Sequence, residues 1–179
     1  GVEHSIPIAP IYEDVQQLWG STEVGYTPTL TVAYGGFWGE EYWYHESEVW
    51  KHPRLQRFVP RFALDSRARR SQRVPDNEWN HFRAAGVATA VANAGGRVNI
   101  GAHGQREGLA SHWEMWMLAQ GGMTPWQVLR SATINGAWYV GLDQDIGTLE
   151  PGKLADLVVL EKNPLENIRH TDSVRWTIL

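Results

Sequence analysis

A chain of 179 residues is long enough to bury one sizeable core, and 42% hydrophobic residues with ten Trp mark it as globular. A formal net charge of −4 argues against a nucleic-acid or polybasic membrane surface, and the basic run from Arg61 to Arg73 reads as a solvated helix face. The absence of cysteine excludes disulfides, thiolate zinc sites and cysteine nucleophiles, and no apolar stretch approaches the roughly 18 residues of a membrane span.

In chain order, Val2 to Ile8 is a short apolar run stopped by Pro7 and Pro10, and Tyr12 to Trp19 can form one or two helical turns. Thr29 to Tyr34, rich in β-branched and aromatic residues and closed by Gly35 and Gly36, is predicted as a strand. The aromatic segment from Phe37 to Trp50 lacks clean periodicity and reads as a loop with a helical turn. Leu55 to Leu64 is predicted helical, and Asp76 caps a second helix that runs to about Asn93. Gly95 and Gly96 end that helix, and Arg97 to Gly104 reads as a short buried strand breaking into a glycine loop.

Ser111 and Glu114 have the spacing of a capping box, opening a helix that Gly121 and Gly122 close. Thr124, Pro125 and Gln127 repeat that start signal for a helix carried to Gly141. From Ile146 to Leu160 two short strands joined by a Pro-Gly turn are predicted, with a third strand from Ser173 to Leu179. Alternating β and α units before a small β appendage imply an α/β barrel or doubly wound sheet over residues 1–141, with a β segment over 142–179.

The segment from Ala132 to Ile168, ATINGAWYVGLDQDIGTLEPGKLADLVVLEKNPLENI, resembles the C-terminal signature of the amidohydrolase superfamily, in its imidazolonepropionase and prolidase-like branch. The upstream AQGGMTPWQVLRSAT fits as well, and Glu3-His4 looks like the element that ends the sixth barrel strand in that branch. The resemblance implies a partial (β/α)8 barrel: Val2 to His4 ending strand six, Thr29 to Tyr34 as strand seven and Val98 to Gly101 as strand eight. Trp126 to Val140 would be the last barrel helix, and residues from about Ile146 would join a small β-sandwich. The chain is therefore expected to be the C-terminal part of a longer enzyme, since it starts within a strand-like run without Met. Its signature hairpin is structural and holds no catalytic residue.

The resemblance also implies a divalent metal, zinc by preference, held by an H-x-H pair, by His residues after strands five and six, and by an Asp after strand eight. This sequence contains no H-x-H, and Lys51, Lys153 and Lys162 are not placed to bridge metals. His4 matches the strand-six ligand. At the strand-eight position Gly101-Ala102-His103 stands where relatives carry Gly-Thr-Asp, so His103 becomes a candidate ligand or base, or a substrate contact in an altered site. Imidazole can ligate zinc as a neutral group and take a proton near pH 7, but it cannot be an anionic ligand. Gln105 and Arg106, in the adjacent loop, could meet a polar or carboxylate-bearing substrate, or be plain loop residues. His112 is a candidate pocket residue, whereas Glu114 reads as a capping partner. Tyr34 and the aromatic segment after it either cover the pocket, favouring an apolar substrate portion, or pack on the helices.

The parent enzyme implied is a hydrolase of C–N bonds in an amide, peptide or cyclic amide. The chain itself is expected to be inactive alone and to cover its open sheet edges with a second copy. Completion by another chain, or a binding module that has lost the chemistry, are the other readings. No nucleic acid or membrane is expected as a partner.

Overall fold

A computed structural model describes residues 1–69 and 73–179, an α/β arrangement carrying two small sheets. The first has three parallel strands, β1 (Val2–Glu3), β2 (Gly25–Thr27) and β3 (Arg97–Val98), in that order across the sheet. Tyr26 faces Val2 on one side and Val98 on the other in register. Parallel strands need long crossovers. Helix α1 (Glu13–Gly20) supplies the first, and α2 (Gly39–Glu46), α3 (Pro53–Phe58), α4 (Arg61–Ala68) and α5 (His81–Asn93) lie within the second. After β3 come α6 (Leu109–Gln120), α7 (Pro125–Ser131) and α8 (Ile134–Tyr139).

Several sequence expectations are corrected here. The strand predicted over Thr29 to Tyr34 lies earlier, at Gly25–Thr27. Pro28 has no N–H to extend the ladder, Thr29 turns left-handed at φ 53°, and Leu30–Val32 is a 3-10 turn. The β-branched residues there are buried, but the Leu30 and Thr31 amides serve the Glu114 carboxyl and Val32 N donates back to Thr29 O, instead of pairing with a neighbouring strand. Pro60 splits the helix expected over Leu55 to Leu64 into α3 and α4. Asp76 opens only a 3-10 turn, and α5 begins after Asn80, whose side chain makes no capping bond. Of the basic run, Arg61–Ala68 is helical, and its residues 70–72 lie outside the described residues.

Ser111 and Glu114 do not cap α6, which starts earlier, after Gly108. Thr124 and Gln127 do form their capping box, with the Gln127 amide on Thr124 Oγ1 and the Thr124 amide on Gln127 Oε1. The helix expected to continue to Gly141 is broken between α7 and α8. The predicted hairpin yields one strand, β4 (Leu157–Leu160), paired antiparallel with β5 (Val174–Ile178). Its other half packs on α8 without joining a sheet: a Cβ on Gly147 would come within 2.7 Å of Ala137 Cβ. Lys153 Nζ ties that segment down by donating to the carbonyl of Asp143 at 2.6 Å.

Aromatic packing joins the layers. Trp43 of α2 is buried against Trp113 and Trp116 of α6, with ring centroids 6.4 and 5.3 Å away. Trp116 Nε1 donates to Ile168 O at 3.0 Å and Thr171 Oγ1 at 2.9 Å. Arg169 covers the same rings, 4.6 Å from Trp43 and 4.1 Å from Trp116. These contacts fasten the C-terminal segment to the helical layer.

Candidate functional site

Each strand of the parallel sheet is followed by a non-glycine residue with left-handed backbone: His4 at φ 69° directly after β1, Thr29 at φ 53° in the turn after β2, and His103 at φ 54° in the loop after β3. That conformation is costly for an L-residue, about 1–3 kcal/mol each, and such strain gathers at functional sites. Here it turns the chain sharply at three neighbouring strand ends. β1 and β3 flank β2, so about 10 Å of sheet separates them. Their two imidazoles nevertheless converge over the end of β2, with centroids 5.2 Å apart and edge to face. Tyr34 stands 5.7 Å from His4 and is half exposed. The structure thus groups His4, His103 and Tyr34.

The loops are cross-linked. Tyr34 N donates to Ser5 Oγ at 3.4 Å, and Thr31 Oγ1 donates to Ala102 O at 3.4 Å. Gly101 makes the close approach possible: a Cβ there would meet Thr27 Cγ2 at 2.6 Å and Thr29 Oγ1 at 2.7 Å. Beneath the loops lies Glu114, fully buried on α6. Its Oε1 accepts from Leu30 N at 2.8 Å and its Oε2 from Thr31 N at 3.2 Å. Burial pushes this carboxyl up to about 8, against the pull of the Leu30, Thr31, Gly101 and Thr29 amides. The capping role expected of Glu114 is therefore replaced by a brace under the strand ends. The available signal was its setting: every residue from Trp113 to Leu118 is buried, and a carboxylate in such a run needs donors.

Gln105 Nε2 lies 3.2 Å from His103 Nδ1, and its Oε1 accepts from Arg67 at 3.0 Å. Arg67 also pairs with Glu40, which is buried. Neither Arg67 nor Glu40 was singled out in the sequence, because they are far apart in the chain and in no recognisable spacing. Arg106 is buried, with Nε and Nη2 donating to Tyr44 Oη at 3.0 and 2.6 Å. Its guanidinium is spent on α2 and is not open to a substrate carboxylate. His112 packs near Trp116, with Asp172, Arg54 and His52 as neighbours, so the structure groups it with the C-terminal segment instead of with His4 and His103. Burial holds it below the usual imidazole range. The aromatic segment forms α2 and packs Trp43 and Tyr44 into the core, leaving Tyr34 and Trp38 on the surface.

His4 fits one position of a metal centre, since its buried Nδ1 has no hydrogen-bond partner among the described residues. Zinc takes about three or four ligands. Among the described residues, no group of three or more His, Asp or Glu could hold a metal ion. The fit is therefore to a single ligand, not to a complete centre.

The sequence profile of the amidohydrolase family matches residues 59–178. Over 39 residues the chain is 49% identical to the imidazolonepropionase of Symbiobacterium thermophilum, a stretch covering 22% of this chain and 9% of that protein. It is 43% identical over 51 residues to the ochratoxinase of Aspergillus niger, or 28% of this chain and 11% of that one. The solved structure of A. niger ochratoxinase aligns with a TM-score of 0.60 at 22% identity, over 96% of this chain and 34% of its own. A Xaa-Pro dipeptidase structure gives 0.61 at 20% identity, over 94% and 36%. At these identities the structural likeness speaks for the fold. The chain spans about a third of the length of these solved structures.

Proposed function

The chain belongs to the amidohydrolase family, and on that premise we propose that it is part of a hydrolase of C–N bonds acting on an amide, peptide or cyclic amide. In this reading residues 1–141 are part of a (β/α)8 barrel and 142–179 part of a β-sandwich. The observation that carries it is the convergence of His4 and His103, on strained backbone, at the C-terminal ends of parallel strands. Barrel enzymes place their chemistry at those ends. A bound divalent metal, zinc in this proposal, supplies a polarised carbonyl and an activated water. His4 would be one of its ligands.

The chain's own residues supply shape and hydrogen bonding. Tyr34 offers an apolar ring beside His4, and Gln105 steadies His103. The names of the structural neighbours make dipeptides a reasonable first substrate class. The test is a panel of Xaa-Pro dipeptides, N-acyl amino acids and cyclic amides, assayed on this chain and on the longest protein containing it. Hydrolysis by the longer protein, lost on chelation and in H4A, is the expected result, with none by the chain alone. A longer protein that cleaves no C–N bond in the panel sinks the reading. The same reading has the chain cover the open edges of β1 and β3 with a second copy, which sedimentation would show as a dimer.

A further inference from the structure

We infer that Arg67 and Gln105 fix the tautomer of His103, so that its neutral ring carries the proton on Nε2 and acts as a hydrogen-bond donor at the strand ends. Glu40 is 2% exposed and accepts from Arg67 Nη1. The same nitrogen donates to Gln105 Oε1 at 3.0 Å, so both of its hydrogens are committed. A guanidinium has no acceptor, so the Gln105 oxygen must face it. The amide orientation is thereby set by chemistry. The other end of that amide, Nε2, can only donate, and it lies 3.2 Å from His103 Nδ1. Nδ1 must then hold a lone pair. A neutral imidazole has one proton, which falls to Nε2.

The two imidazoles consequently divide their work. His4 has an unpartnered Nδ1 and is free to ligate. His103 has its Nδ1 lone pair occupied by Gln105, and it can ligate through Nε2 only by giving up the proton there. It is instead suited to donate to negative charge developing on a substrate oxygen, as preorganised donors do. That last role rests on the proposed hydrolytic reading. The tautomer does not, so the two can fail separately. His103 thus differs in kind from the Asp that the family resemblance implies at this position: it gives a hydrogen bond where a carboxylate accepts one.

The experiment is long-range ¹H–¹⁵N NMR of the full chain with ¹⁵N-histidine at pH 8, with His103 assigned by its loss in H103A. The expected spectrum has a protonated Nε2 and a bare Nδ1, with at least about tenfold excess over the other tautomer, the worth of one hydrogen bond. In Gln105→Glu both carboxylate oxygens accept, and the proton moves to Nδ1. Arg67→Met lets the amide turn and mixes the tautomers. A wild-type His103 protonated on Nδ1, or on both nitrogens, overturns the inference, as does a folded Q105E chain with an unchanged His103 signature. Should Q105E fail to fold, the wild-type spectrum decides alone.

Discussion

Replacing Glu114 by Leu removes the acceptor for the Leu30 and Thr31 amides, now bonded at 2.8 and 3.2 Å beside a fully buried side chain. Each orphaned buried amide costs about 1–3 kcal/mol, so E114L should lose about 3–5 kcal/mol even with the relief of not burying a carboxyl. Glu114→Gln keeps one oxygen and should lose about half as much. For a chain of this size each kcal/mol lowers Tm by about 2–4 °C, giving a fall of about 6–20 °C for Leu and about 3–10 °C for Gln. The assay is thermal and urea unfolding, with hydrogen exchange read at the Leu30 and Thr31 amides. The pH dependence gives an independent check. The Glu114 carboxyl rises from an ordinary 4.5 to about 8 on folding, so between those values the folded state binds the extra proton. Its contribution is present in full below about 4.5 and is lost as pH rises through about 8, up to about 5 kcal/mol over the whole span. E114Q should remove that slope. If both variants stay within about 1 kcal/mol of wild type, or if exchange at Leu30 and Thr31 is unchanged in E114L, the brace described for Glu114 is not there.

Four further outcomes are expected. Gly101→Ala places a methyl within 2.6 Å of Thr27 Cγ2 and should cost about 1–3 kcal/mol in urea unfolding. Trp116→Phe loses the single Nε1–H shared by Ile168 O and Thr171 Oγ1, and should expose residues 168–172 to proteolysis at a cost of about 1–3 kcal/mol. His81 is buried and held down to about 4 from 6.5, so its contribution is present above about 6.5 and lost as pH falls through about 4. H81Q should flatten acid unfolding by up to about 3 kcal/mol, a slope opposite in sign to that of Glu114. His103→Gly relieves left-handed strain and should leave stability unchanged or raise it by up to about 1 kcal/mol, whereas Val98→Gly, within β3, should destabilise. Loss of more than 1 kcal/mol in H103G would mean that His103 holds the loop together.

The sequence made the helix starts and stops readable where the chemistry is local. Thr124 and Gln127 are neighbours in the chain, and their capping box follows from spacing alone. Ser111 and Glu114 have the same spacing and a different fate, because the Leu30 and Thr31 amides, more than eighty residues away, compete for Glu114 and win. The shift of β2 has the same origin. Thr29 to Tyr34 has strand composition, yet nothing in that composition says that its amides will be claimed by a helix-borne carboxylate. His4 and His103 were legible because they stand beside short apolar runs in a recognisable family pattern. Arg67 and Glu40 were not, since an ion pair across 27 residues leaves no periodic trace.

The lacing of the three loops decides how a disturbance travels. Glu114 holds Leu30 and Thr31 directly, and Thr31 in turn donates to Ala102, next to His103. The link toward β1 runs later in the same loop, through Tyr34 N to Ser5 Oγ at 3.4 Å. His103 is thus two short steps from the brace, while His4 is reached over longer routes, through Tyr34 N to Ser5 and through Thr27 Oγ1, which donates to Glu3 Oε1 at 3.4 Å. Softening the brace should therefore loosen His103 before His4. In E114Q the His103 ring resonances should broaden or shift while those of His4 hold, which separates a brace under one strand end from a general loss of packing.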